Sequence, residues 1–253
     1  MFWGRTPIYL LTENAVYAKA FATLSRGLWL TLCAIVFAFL ALLVFLAPLL
    51  VARQGIDVKP FSKHILVAAG VLASISLILN LWGKWLCFEL QQPLELGHRL
   101  PGHRYLQIAF WCEVLSFVLK TSARTLGVAQ LKMLIFPLTI VAQIVFMLFL
   151  RKIAVVIERP DLKRRIDYLA WAVSISILAF GTAYLSRSQG ISPKLTLAAL
   201  AISFLLFIAS MLGYMVILAQ MALAASAFSR YLKETEHDID DDYETAELAQ
   251  EPA

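Results

Sequence analysis

Long apolar runs, each about the length of a bilayer crossing, recur along this 253-residue chain, broken by short polar stretches. The runs do not alternate with polar residues, so they read as helices and not as barrel strands. The first covers 27–51, "GLWLTLCAIVFAFLALLVFLAPLLV". As a helix it would reach roughly 37 Å, enough to cross with some tilt. Pro48 near its far end bends only the last turn. Further runs cover 65–88, 132–150, 168–186 and 195–222, and the pattern of the last continues to about 233. Trp82 and Trp85 in the second suit a membrane–water boundary.

Residues 105–127 are the ambiguous run, because they hold Glu113, Lys120 and Arg124. Charge settles how to read them. Lys and Arg collect on the cytoplasmic side of a membrane protein. If 105–127 crosses and the N-terminus is inside, 13 Lys and Arg lie inside and six outside. If it does not cross, the two sides tie at 11 each. The bias favours a crossing. The expected architecture is therefore all-α: a polytopic bundle of six transmembrane helices with both termini cytoplasmic.

Two flanking segments complete this outline. Residues 1–26 place Val16, Ala20, Phe21 and Leu24 on one helical face, which predicts an interfacial amphipathic segment. It does not read as a cleavable signal, since the apolar run that follows exceeds the usual 7–15 residues. Residues 234–253 hold nine of the 17 acids and no Lys or Arg, a composition that predicts a disordered acidic cytoplasmic tail.

Composition agrees with a lipid solvent: 60% of residues are hydrophobic and 15% charged, against about a quarter charged in soluble domains. The net charge of +5 hides a body of +14 once the tail is set aside. The most basic stretch, 151–167, reads as a loop facing anionic lipid headgroups, and the acidic tail as a possible contact for a protein partner. No basic segment is interleaved with aromatics, so nucleic acid is not an expected partner. The pattern suggests the cytoplasmic membrane of a bacterium.

Candidate chemistry is confined to one place. At 100° per residue, Lys120 and Arg124 fall within roughly 20° of Glu113, with Ala109, Ser116 and Gly127 on the same face. Charges at bilayer depth cost about 2.5–3.5 kcal/mol each on insertion scales, so this stripe should face the bundle. Asn80 and Lys84 share a face of the second run at a similar depth, which predicts that they meet Glu113. Three uses of the stripe are open: polar glue between helices, the wet face of a surface helix, or an ion, proton or solute path.

Other motifs carry less. Cys87, Glu89, His98 and His103 have no zinc-site spacing, and three unpaired cysteines do not form a disulfide framework. Asp238, Asp240 and Asp242 begin like a calcium loop, but Tyr243 and Ala249 stand where Gly and Glu are needed. Nucleotide-binding and hydrolase motifs are missing. Neither a metal nor a cofactor is expected, and the chain leans away from an enzyme. No transporter, channel or membrane-enzyme signature stands out. Small residues four apart (Ala69/Ala73, Gly70/Ser74, Ala179/Ala183, Ala209/Gly213) suggest close helix packing. The primary functional expectation is a non-catalytic membrane binding or scaffold protein acting through its cytoplasmic face. The alternative is a small ion- or proton-coupled transporter or channel using the Glu113 stripe.

Overall fold

The structure is a computed structural model that describes residues 14–52, 62–89, 102–125, 131–188 and 193–248. Six helices account for 97% of it: α1 Asn14–Ala52, α2 Ser62–Glu89, α3 His103–Thr125, α4 Leu131–Val156, α5 Pro160–Ser188 and α6 Pro193–Leu248. No strand occurs among the described residues. Each helix packs on its neighbours in sequence, and α1 closes on α6, so the six form a ring. Four stretches are long and apolar enough to cross a membrane: Tyr17–Pro48, Lys63–Phe88, Pro137–Val156 and Ala201–Glu234. The chain is an integral membrane protein by this measure. Helices α3 and α5 do not qualify over their described residues.

Packing divides the ring into two zones. At one end large side chains are wholly buried, among them Tyr17, Phe21, Leu24, Leu106, Phe149, Leu150, Phe228 and Leu232. Toward the other end the buried side chains among the described residues are small: Ala34, Ala41, Ala69, Ser116, Ala142, Ser176, Ser203 and Ser210. There the large ones, such as Phe45, Val67, Phe117 and Phe207, point outward. Water drives large apolar groups inward, whereas lipid does not, and helices in lipid meet through small residues.

The long-range seam joins α1 and α6. The Ser25 hydroxyl donates to the Ala222 carbonyl at 2.8 Å across 197 residues, and Ser229 donates to Ala18 O at 2.6 Å. Between them Phe21 and Phe228 meet edge to face with centroids 4.8 Å apart. This revises the expectation for residues 1–26. Residues 1–13 lie outside the described set, but 14–26 are the first turns of α1, where Phe21 and Leu24 of the anticipated face are buried, Phe21 against Phe228 of α6.

Helices α1 and α2 cross with their backbones almost touching. A Cβ on Gly27 would lie 2.5 Å from Gly83 O, and one on Gly83 would lie 2.6 Å from Gly27 O. Thr31, which donates to Gly27 O at 3.0 Å, fills the remaining space. Gly70, in one of the anticipated small pairs, has no neighbour within 4 Å of an added Cβ.

Two further expectations need correction. The basic 151–167 stretch is not an open loop. Helix α4 runs to Val156 and α5 starts at Pro160. The turn is a Schellman closure: Arg159 N–H donates to Ala154 O at 2.9 Å and Glu158 N–H to Val155 O at 3.1 Å, with Glu158 at φ 54°. Pro160 at the first helical position then pre-sets the φ of α5. Arg159 grips Asp161 with two hydrogen bonds of 2.9 Å and holds its carboxyl down at about 2. The acidic tail is likewise not disordered along its backbone, which continues α6 to Leu248. No Gly or Pro interrupts 214–251, so nothing in the sequence breaks the helix there. Residues 249–253 lie outside the described set.

Candidate functional site

The Glu113 carboxylate of α3 is gripped from α2. Asn80 Nδ2 donates to Glu113 Oε2 at 3.0 Å, and Lys84 Nζ donates to Glu113 Oε1. Lys84 is completely buried, while the Glu113 side chain is 11% exposed. The ammonium also stands over the Phe146 ring, 4.8 Å from its centroid. Burying two charges costs several kcal/mol per ion before pairing, so only a geometry this complete holds the ammonium there. Asn80 and Lys84, one turn apart, are set for this by the α-helical period.

The anticipated stripe is only partly assembled. Lys120 is exposed and the side chain of Arg124 lies outside the described set. Phe88 of α2 meets His103 of α3, and Asn80 meets Glu113. Lys120, two turns beyond Glu113 on the same face, faces outward. Ser116 instead turns to α4 and shares a 3.0 Å hydrogen bond with Thr139.

Sequence reasoning missed the opposite wall. Tyr214 of α6 is buried, with Gln143 of α4 as its polar neighbour and Glu113 near enough to act on it through space, but its hydroxyl makes no well-formed hydrogen bond. Four helices thus bring Lys84, Glu113, Gln143 and Tyr214 to one level. No spacing rule links residues 84 and 214, so only the closure of α1 on α6 could have revealed this.

That level is marked on the outside as well. Trp29, Trp82, Trp85, Trp111, Tyr168 and Trp171 are all exposed. Cross-helix contacts put them in one band. Gly27 meets Gly83, Trp85 lies 6.0 Å from Phe110, Phe149 meets Gly102, Arg151 pairs with Asp167 at 2.8 Å, and Leu169 meets Gly213. Gly102 (φ 111°) starts α3 in a left-handed conformation that suits glycine, and its carbonyl accepts from Leu106 N–H.

No relative decides the matter. No family model, curated protein or solved structure matches this chain. What the site can do rests on its own geometry. Among the described residues no cluster of His, Cys, Asp or Glu is arranged to hold a metal. Cys87 is buried in the α1–α2 crossing, where it would lie 2.8 Å from a Cβ on Gly27. Glu89 ends α2 and its side chain, like His98, lies outside the described set; His103 opens α3. A saturated ion pair is suited to clamping α2 to α3.

Proposed function

We propose that this chain is a six-span membrane protein with both termini in the cytoplasm, acting as a non-catalytic binding or scaffold protein through a packed cytoplasmic head. The observation that carries this is the change of packing at the tryptophan band. Aromatic belts of Trp and Tyr sit at headgroup level. From the band to the far ends, α1, α2 and α6 each run about 20 residues, or ~30 Å, one hydrocarbon thickness. Helix α5 runs about 26 Å from Trp171 to Ser188 on the same measure. On the other side of the band lies the large-residue core, clothed with Lys19, Arg26, Arg104, Lys152, Arg164, Arg230 and Lys233, all exposed. That is the positive-inside side. The setting fits a bacterial cytoplasmic membrane.

Helices α3 and α5 begin in the head: their first turns carry Arg104 and Lys163, Arg164 and Arg165, and the more apolar stretches follow. The head also favours binding over transport. The Lys84–Glu113 pair sits at the band, under the closed head core, with its hydrogen bonds made internally. The backbone of α6 beyond Glu234 extends past that core and carries the acidic residues to a prospective protein partner.

Single cysteines at positions 100 and 130, labelled in sealed vesicles, test the topology; labelling from opposite sides is expected, and the same side overturns six spans. Removing residues 234–253 should strip specific partners from a pull-down, and an unchanged partner set would overturn the tail as the binding element. Proton- or ion-driven flux that Glu113→Gln abolishes would favour transport instead.

A further inference from the structure

We infer that three helices carry matching anchors for the phosphates of anionic phospholipids, formed by Arg26, Arg104 and Arg164. On α5, Arg164, Tyr168, Trp171 and Ile175 are all exposed and follow one another at i, i+4, i+7 and i+11. They form one outward stripe. On α3 exposed Arg104, Trp111 and Leu115 share this spacing, with Ile108 where α5 has Tyr168; on α1 exposed Arg26, Trp29, Val36 and Leu40 follow at i, i+3, i+10 and i+14. In each case a cation stands on the head side, an indole lies further along in the band, and the exposed side chains named beyond the indole are aliphatic. This sequence matches the order phosphate, carbonyl, acyl chain met on entering a bilayer.

Three separate helices repeating one chemical order is more than scattered basic residues. The ion pairs among the described residues are Lys84–Glu113, Arg151–Asp167 and Arg159–Asp161, and none uses the three arginines. Arg165, adjacent to Arg164, is by contrast engaged with Gln220 at 2.9 Å. Arg26 lies about 4.5 Å along the axis from Trp29, and Arg104 and Arg164 lie about 10 Å from Trp111 and Trp171, at 1.5 Å per residue. Those are headgroup distances, and a guanidinium binds phosphate oxygens in bidentate fashion. Helix α4 adds exposed Lys152, which flanks Gly102 beside the Arg104 stripe. The occupant is lipid, because the exposed aromatic and aliphatic parts of each stripe would be covered by its acyl chains, which a soluble phosphate ligand lacks.

The inference rests on the band being the cytoplasmic boundary, and its test separates the two. The full chain is reconstituted in vesicles of equal parts phosphatidylcholine and phosphatidylglycerol. Spin-labelled lipids then report the relative association of each class with the protein surface. A cation at the surface contributes about 1 kcal/mol, or roughly fivefold. Preference for the anionic lipid should therefore be about fivefold, and should fall toward one in the triple variant Arg26→Gln/Arg104→Gln/Arg164→Gln. The Arg→Lys triple variant, which keeps the charges, should retain most of it. Equal preference in wild type and the Gln variant overturns the anchors, as does loss of the preference on adding millimolar inorganic phosphate at constant ionic strength. Brominated lipids check the boundary independently. If tryptophan emission is quenched best by bromine at mid-chain and not near the carbonyls, the band is not the boundary and the underlying reading fails.

Discussion

At the scale of single residues, the decisive fact is that Lys84 is wholly buried and Glu113 nearly so. The pair's value lies in what its loss would leave behind. Glu113→Gln strands a buried ammonium, and breaking a buried pair from one side costs about 3–5 kcal/mol. Replacing both, as Lys84→Met with Glu113→Gln, removes the stranded charge. The double variant should therefore be less destabilised than Glu113→Gln alone, read as thermal unfolding in one detergent. A double variant whose loss equals the sum of the two single losses would mean the pair is not coupled. Much of this meeting could be read in the sequence: spacing put Asn80 and Lys84 on one face, and counting residues from the membrane edge put them level with Glu113. Lys120 could not be placed so, because it shares the face of Glu113 and yet is exposed.

At the scale of elements, the α1–α2 crossing depends on two glycines. Any Cβ at Gly83 would lie within 3 Å of backbone atoms of Gly27 and Thr31. Backbone cannot swing away as a side chain can, so the helices must separate. Gly83→Ala should cost about 1–3 kcal/mol, in the range of overpacked cores. Gly70→Ala, with open space around it, should be neutral or slightly stabilising, since alanine is the better helix former. Equal unfolding temperatures for the two variants would refute the crossing. No spacing in the sequence marks Gly83 and not Gly70 as the contact with α1, although both lie in α2. The helices themselves were legible because apolar length announces them. Their ends were not: the 151–167 stretch looked like a loop by charge, yet a three-residue turn was enough to reverse the chain. The acidic segment looked unstructured by composition, yet without a Gly or Pro to stop it the helix of α6 runs on to Leu248.

At the scale of the whole molecule, two solvents shape one ring of helices, and they set different costs for the same substitution. Phe21 is fully buried in the head, against Phe228 of α6. Phe45, on the same helix, is 54% exposed on the far side of the tryptophan band. In the head, removing a phenyl ring leaves a cavity in a packed core, which costs about 3–5 kcal/mol. In the membrane zone the ring meets lipid tails, which replace lost contacts with similar ones, so Phe45→Ala has little cavity to open. Both are phenylalanines on one helix, and what differs is the medium their rings meet. Unfolding measured in the same lipid nanodisc should therefore drop strongly for Phe21→Ala and hardly at all for Phe45→Ala. Comparable losses at both sites would mean that the ring is buried in one medium along its whole length. In that case the head would be part of the span, and the cytoplasmic binding role would lose its platform.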